Sequence, residues 1–298
     1  MQTQTLQVEG GARIAVRRYR PEGAPRASIV IGGAMGVRQS FYEPFAAWLA
    51  RQGHEVWTFD YRGSGDSLDG ASLRDVKADL FDWARDYEAV IDAAKAAAPS
   101  QPLYLLGHSL GAQLPGFLQR PDQVDGLVSI AAGSGYWREN APKLKRSILY
   151  FWFVLVPLAT RIWGYFPGRK LRKVGDLPRG VILQWRKWCL NPRYSVGAEG
   201  ELAAQSYARV RFPVLALSMT DDELMTLAGT HSLVSFYKAA PTAVERIAPA
   251  DVQARRIGHF GFFREQFSQN LWPEVVHKMQ RLGAITAVQQ AGVAHTTA

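Results

Sequence analysis

The stretch YLLGHSLGAQ, residues 104–113, places a serine between two glycines directly after an apolar run. The apolar run predicts a strand buried on both faces, and the residues from Leu110 onward predict a helix. Ser109 therefore stands at a tight strand-to-helix turn, where a Cβ atom two positions before or after it would collide across the turn. Such a turn presents the hydroxyl beyond the sheet edge, beside the free N–H groups of the helix. The pattern in this context indicates a nucleophile.

The rest of the chain alternates between predicted strands and helices. Two short strands joined by Gly10-Gly11 predict an antiparallel start. Pro115 removes a backbone hydrogen bond from the helix after Ser109, so we expect a kink or a short helix there. Strands separated by helices imply a mostly parallel sheet with helices on both faces, an α/β fold. The later strands are predicted at 27–34, 54–63, 102–109, 124–132, 212–220 and 243–250, and the helices at 41–53, 73–98, 110–118, 226–239 and 264–281.

The positive charge of the chain is concentrated in one segment. The net charge is +9, and residues 135–205 contain 13 of the 35 Lys and Arg residues but only 4 of the 26 acidic residues. The same segment contains five of the nine tryptophans. This shift in composition predicts an insertion at 135–205 between two parts of one core, residues 1–134 and 206–298. The small and polar tail at 284–298 is expected to fray.

Composition and spacing exclude several classes of protein. The single cysteine, Cys189, excludes an intrachain disulfide framework, and the six scattered histidines lack metal-ligand spacing. We therefore expect neither a metal nor another cofactor. The first residues lack the basic and apolar regions of a secretory signal, and the apolar stretch 148–159 is shorter than the roughly 20 residues of a membrane span. These features predict a cytoplasmic protein.

A serine hydroxyl becomes a good nucleophile only beside a base that an acid orients. Downstream of the serine, MTDDELM places Asp221 and Asp222 just after a buried strand, and RIGHFGFFR places His259 in a loop before the last helix. Both motifs follow strand ends at the edge where α/β sheets bind their ligands. Two neighbouring carboxylates are not separable by this argument. The other histidines, including His54 and His108, are expected to be surface residues.

Together these motifs resemble those of the α/β-hydrolases with a lid, and most of all the serine aminopeptidase-like or monoacylglycerol lipase-like branch. The matching pieces are IVIGGAMG, FDYRGSGDS, GHSLG, MTDDELM and GHFGFFR. The resemblance implies the α/β-hydrolase fold, with the segment 135–205 as a helical lid. It also implies that Ser109 is the nucleophile and His259 the base. A serine rather than an aspartate at this position disfavours the epoxide- and halide-processing relatives.

The resemblance also bears on the acid and on the oxyanion hole. In this family the acid is usually followed, four residues later, by a proline or a small residue, and Thr226 stands there relative to Asp222. Asp222 is therefore the expected acid, with Asp221 as the alternative. The expected oxyanion donors are the backbone N–H groups of Leu110 and Ala34, with Met35 as the alternative to Ala34.

These features predict a serine hydrolase that cleaves a carboxylic ester of an apolar acyl group through an acyl-enzyme on Ser109. A thioesterase, an amidase or peptidase, and an acyltransferase would use the same residues, and a non-catalytic lipid-binding or partner-binding protein is the alternative from another class. The basic segment 135–205 has three interpretations: packing on the core, binding of an amphiphilic or anionic small-molecule substrate, and contact with a membrane surface. No recognition motif accompanies the basic residues, so we expect no nucleic-acid partner.

Overall fold

The computed structural model of the protein describes residues 1–282, which contain one eight-stranded sheet in the order β1-β2-β4-β3-β5-β6-β7-β8. β1 pairs with β2, and β2 with β4, in antiparallel fashion, and every later pair is parallel. The predicted antiparallel start and mostly parallel sheet are therefore confirmed. The strands are β1 (Gln2–Gln7), β2 (Arg13–Tyr19), β3 (Ser28–Gly32), β4 (Glu55–Phe59), β5 (Leu103–His108), β6 (Gly126–Ile130), β7 (Val214–Met219) and β8 (Thr242–Ile247).

Helices cover both faces of the sheet and form two hydrophobic cores. One core contains Val30 of β3 with Trp83 of the long helix, and the other contains Ile29 with Phe45 and Trp272. Neighbouring residues of β3 thus point to opposite faces, which explains why its sequence is apolar without alternation. The α-helices are α1 (Glu43–Arg51), α2 (Leu80–Ala97), α3 (Pro142–Tyr150), α4 (Val156–Trp163), α5 (Arg179–Leu190), α6 (Tyr194–Glu199), α7 (Glu201–Arg209), α8 (Leu227–Val234), α9 (Gly258–Gly261) and α10 (271–282).

Several helix boundaries differ from the sequence prediction. α2 begins at Leu80 rather than near residue 73, because the Asp79 side chain accepts hydrogen bonds from the amides of Phe81 and Asp82. Asp82 in turn accepts from the Asp79 amide, so the two form a capping box that starts the helix. The predicted terminal helix begins seven residues late, at 271, and the predicted frayed tail lies outside the described residues.

The predicted helix after Ser109 is replaced by two 3₁₀ turns, Ser109–Ala112 and Leu114–Phe117. Pro115 lies in the second turn and interrupts the backbone hydrogen bonds as predicted, but the predicted helix at 110–118 is wrong because only 3₁₀ turns form there. Two tyrosines satisfy carbonyl groups of these turns: the Tyr237 hydroxyl donates to the Ala112 carbonyl at 2.9 Å, and the Tyr207 hydroxyl donates to the Gln113 carbonyl at 2.7 Å. Side chains thus stabilise a turn in which an α-helical hydrogen-bond ladder is missing.

The loop after β4 explains the motif FDYRGSGDS. Asp60 accepts hydrogen bonds from the amides of Gln39 and Asp66, at 2.8 and 2.9 Å. Arg62 donates to the fully buried Asp86 of α2 through its backbone amide and its guanidinium. The carboxylate and the guanidinium therefore fix this loop between the sheet and α2.

The basic segment 135–205 lies between β6 and β7 and is mainly helical. Its expected end at 205 falls inside α7, so this helix continues from the segment into the core. The stretch 142–163 runs through α3, a π-helical turn at Phe151–Leu155 and α4. Within residues 1–282, no helix is both long enough and apolar enough to cross a bilayer.

We expect the tyrosine hydroxyls at the broken helix to stabilise the fold. Tyr237→Phe removes the partner of the buried Ala112 carbonyl, so it should lower the free energy of unfolding by about 1–3 kcal/mol in urea denaturation. Tyr207→Phe should lower it less, by about 0.5–1.5 kcal/mol, because the Gln113 carbonyl keeps its bond from the Gly116 amide. Tyr150→Phe is the matched control, because the Tyr150 side chain is exposed, and it should change stability by less than about 0.5 kcal/mol. Equal stability of all three variants would contradict this account of the turn.

Candidate functional site

Ser109 has a backbone conformation that non-glycine residues rarely adopt, with φ at 52°. The glycines on either side allow it. A Cβ atom on Gly107 would lie 2.5 Å from the Gly111 carbonyl oxygen, and one on Gly111 would lie 2.0 Å from the Gly32 carbonyl oxygen. The strained turn predicted from the sequence is therefore present, and its close backbone approach requires both glycines.

His259 and Asp222, which lie far from Ser109 in the sequence, meet at the same edge of the sheet. The His259 Nδ1 atom lies 2.9 Å from Asp222 Oδ2, and both side chains are buried. The other carboxylate oxygen accepts hydrogen bonds from the amides of Leu224 and Met225, at 2.7 and 2.8 Å. These bonds hold the carboxylate so that it accepts the Nδ1 proton, which leaves Nε2 of the imidazole for another partner.

The structure distinguishes the two neighbouring aspartates that the sequence does not separate. Asp221 accepts hydrogen bonds from the backbone amides of Ile257 and Gly258, at 2.9 and 3.0 Å. It therefore holds the chain leading to the histidine, whereas Asp222 contacts the imidazole itself. Glu223, to which no motif pointed, accepts a hydrogen bond from the His259 amide at 3.1 Å. Three consecutive carboxylates thus bind one loop, and their run in the sequence was the available signal.

Ser109 and His259 line one cavity of about 500 Å³. Among the described residues, no hydrogen bond joins the serine hydroxyl to the imidazole. In enzymes without substrate such bonds are often long, and they tighten in the complex. The cavity wall is largely apolar, and the segment 135–205 supplies much of it. The apolar side chains in the wall include Leu144, Ile148, Phe151, Trp152, Leu155, Trp185, Leu224, Met225 and Phe260.

The loop after β3 does not fit the expectation that Ala34 supplies an oxyanion donor. The Ala34 amide already donates to the Tyr42 hydroxyl at 2.8 Å. Met35, the alternative, also lines the cavity, and its amide donates no hydrogen bond within residues 1–282. The sequence did not reveal the competing acceptor, because Tyr42 lies eight residues further along the chain.

His108, which the sequence analysis expected at the surface, is fully buried, and His54 is buried as well. The His108 Nε2 atom lies 3.0 Å from the His259 carbonyl oxygen, and its Nδ1 atom lies 2.9 Å from the Tyr42 hydroxyl. A carbonyl only accepts, so Nε2 bears the proton and Nδ1 accepts from the hydroxyl. This chain of bonds connects the loop at Ala34 with α9, the short helix that contains His259. The prediction that His259 lies in a loop is therefore wrong.

Comparison with known proteins identifies the family. The model described as "Serine aminopeptidase, S33", a hydrolase family, matches residues 23–249. The chain belongs to this family. The monoglyceride lipase of Homo sapiens is 30% identical over 123 residues, which is 41% of this chain and 40% of that protein. A lysophosphatidylserine lipase of Gallus gallus is 32% identical over 126 residues, or 38% of this chain and 30% of that protein. The matches thus span less than half the length of these relatives.

Solved structures agree on the fold of this family member. A soluble variant of the monoglyceride lipase from Saccharomyces cerevisiae has a TM-score of 0.66 at 13% identity, over 94% of both chains. An α/β serine hydrolase without a lid from Xanthomonas campestris has a TM-score of 0.52 at 15% identity, again over 94% of both chains. The predicted α/β-hydrolase fold is therefore confirmed.

Burial should keep His108 neutral in the folded protein down to low pH. Burial, and then the neighbouring His259, lower the pKa of His108 well below the usual 6.5. The unfolded chain takes up this proton near pH 6.5 and the folded chain does not. The contribution of neutral His108 to the free energy of unfolding is therefore complete above pH 6.5. Below pH 6.5 the free energy of unfolding falls by about 1.4 kcal/mol per pH unit.

Nitrogen-15 NMR of the imidazoles tests this expectation directly. His108 should give the signals of a neutral ring protonated at Nε2 throughout a titration from pH 7.5 to about pH 5. Unfolded protein in urea serves as the reference, in which the same ring should titrate near pH 6.5. Protonation of His108 in the folded protein at or above pH 6.5 would contradict the assigned hydrogen bonds.

Proposed function

We propose that the protein is a serine hydrolase that cleaves a carboxylic ester of an apolar acyl group through an acyl-enzyme on Ser109. The observation that supports this most is the His259–Asp222 contact at 2.9 Å beside the cavity that Ser109 also lines. Membership of a hydrolase family, with lipases among the relatives, agrees with it. The activity itself is an inference from this chemistry.

The proposed reaction follows from the three side chains. His259 Nε2 accepts the proton of the Ser109 hydroxyl while the oxygen attacks the ester carbonyl carbon, and Asp222 stabilises the imidazolium. The imidazolium then gives its proton to the leaving alcohol, and the acyl group remains on Ser109. Water attacks this acyl-enzyme with His259 again as the base, which releases the acid and restores the hydroxyl.

The oxyanion that forms in each step needs donors already in place. We assign this role to the backbone amides of Leu110 and Met35. Met35 replaces Ala34 in this proposal because the Tyr42 hydroxyl occupies the Ala34 amide. Leu110 follows the serine in the first 3₁₀ turn, where an N–H group has no partner within the turn.

The cavity favours an apolar acyl group as the substrate. Its volume of about 500 Å³ is within the usual range for small-molecule sites. Its wall combines apolar side chains with Lys173, a combination that suits an uncharged or anionic amphiphile better than the cationic N-terminus of a peptide. The ester is therefore preferred over the peptide as substrate. In this proposal the segment 135–205 is the lid, and residues 1–134 and 206–298 are the hydrolase core.

Labelling and ester hydrolysis test this function. We expect a fluorophosphonate to label Ser109, and a chain-length series of p-nitrophenyl esters to be hydrolysed. Ser109→Ala should abolish both. Asp222→Asn should lower kcat by about 10³-fold or more because the imidazole loses its orienting carboxylate.

The matched control for the acid is Asp221→Asn, because this neighbour binds backbone amides and not the imidazole. It should lower kcat less than Asp222→Asn does. Equal hydrolysis of every ester by the wild type and by Ser109→Ala would refute the esterase, and a folded wild type without label on Ser109 would favour a binding protein.

We also propose that the outer face of helix 142–163 contacts a membrane surface. Six of the eight large apolar side chains that are exposed among the described residues lie on it: Leu149, Tyr150, Phe153, Val154, Leu158 and Ile162. The same helix lines the cavity with its inner residues, so it is apolar on both sides although it lies at the surface. Residues 140–175 contain eight Lys and Arg residues and no acidic one, which complements anionic lipid headgroups.

Vesicle co-sedimentation tests the membrane contact. The protein should bind vesicles of equimolar phosphatidylcholine and phosphatidylglycerol more strongly than phosphatidylcholine alone. Leu158→Glu should weaken this binding about tenfold or more, because it places a charge in the apolar face. Leu202→Glu is the matched control, since this exposed leucine lies on α7 outside that face. Equal effects of the two substitutions would refute the proposed membrane contact.

A further inference from the structure

Asn140 is a buried polar side chain in the wall of the cavity. Only 5% of the residue is exposed, and it lines the same cavity as Ser109 and His259. Its amide offers two donors and an acceptor oxygen. Within residues 1–282, the amide makes no hydrogen bond. The asparagine thus brings hydrogen-bonding capacity into a wall that is otherwise largely apolar.

The amide of Asn140 is not what holds its own segment in place. The residues on either side do this: the Ala141 amide donates to the Leu224 carbonyl at 3.1 Å, and the Thr226 hydroxyl donates to the Glu139 carbonyl at 2.5 Å. Both bonds lead to the loop that follows Asp222. The backbone around residue 140 is therefore bound to the loop that follows Asp222, while its side chain has no hydrogen-bond partner within residues 1–282.

The nitrogen and oxygen of the Asn140 amide are not enclosed by protein, and the residue lines the cavity, so both atoms are accessible from the cavity. Nearly all polar side chains in protein interiors have a hydrogen-bond partner. A molecule in the cavity can be the partner of this amide, and the proposed reaction places the substrate there.

We propose that Asn140 is a specificity-determining residue that hydrogen-bonds an uncharged polar group, a hydroxyl or an amide, of the substrate attacked by Ser109. The inference rests on the proposed function, and it adds that the site selects among esters by their polar groups. An ester that lacks the matching polar group is strongly disfavoured, because the Asn140 amide then has no partner in the complex. The preferred substrates are therefore esters with a hydroxyl or amide on the part that lies in the same cavity as Ser109.

Two pairs of esters test this selection and locate the polar group. Hydroxyethyl octanoate and propyl octanoate differ by a hydroxyl in place of a methyl group on the alcohol part. Methyl β-hydroxyoctanoate and methyl octanoate differ by a hydroxyl on the acyl part. In one of the pairs, the wild type should have a kcat/KM about tenfold or more higher for the hydroxylated ester, and Asn140→Leu should reduce this ratio to about one.

Two controls separate recognition from structural damage. Ser147→Ala removes another polar group from the cavity wall, but the Ser147 hydroxyl bonds the Leu144 carbonyl of its own helix, so this variant should keep the wild-type ratio. Thermal unfolding of Asn140→Leu should occur at the same or a higher temperature than that of the wild type, because the substitution breaks no hydrogen bond within residues 1–282 and adds an apolar side chain to a largely apolar wall. A structural asparagine would give the opposite shift.

Three results would overturn the inference. The first is that Asn140→Leu keeps both wild-type ratios, and the second is that the wild type shows no preference in either pair. A parallel loss of kcat/KM on all four esters together with a lower unfolding temperature would mean that Asn140 is structural. Failure of the proposed function looks different, because the wild type would then hydrolyse no ester and Ser109 would take no fluorophosphonate label.

Discussion

The close approach of two backbone segments, one after β5 and one at the end of β3, is the constraint on which this site depends. Gly32 and Gly107 are partners in the parallel register of the two strands, so both strands end at the same edge of the sheet. Gly111 then passes so near the Gly32 carbonyl that no side chain fits between them. This contact brings the loop at Met35 to the same cavity as the strained Ser109.

After Ser109, hydrogen bonds from distant side chains take the place of some backbone hydrogen bonds of the predicted helix. Pro115 has no N–H group for the Ala112 carbonyl, which accepts from the Tyr237 hydroxyl instead. The Gln113 carbonyl accepts from the Gly116 amide and also from the Tyr207 hydroxyl. Because a 3₁₀ turn of four residues has few aligned peptide dipoles, its field at Ser109 is weaker than that of a long helix. Positioned amide groups then matter more than a helix dipole for stabilising negative charge.

The loops around the cavity are connected to one another by buried hydrogen bonds. The His108 imidazole joins the Tyr42 hydroxyl, and through it the Ala34 amide, to the carbonyl of His259. Asp221 holds the backbone next to His259 from the other side. These groups lie in a low-dielectric environment, where each hydrogen bond is strong and each unpaired group is costly. The site is therefore held by a network and not by single contacts.

The sequence alone predicts the alternation of strands and helices, the turn at Ser109, the break at Pro115 and the location of the acidic run directly after a strand, whereas His259 lies in a short helix beyond the end of β8. These features depend on local periodicity, on glycine and proline geometry and on the order of elements along the chain. The folded structure is needed to see that Asp222 and not Asp221 contacts the imidazole, and that the Ala34 amide donates to the Tyr42 hydroxyl. Both depend on side-chain directions and on partners from other elements, which local sequence patterns do not specify.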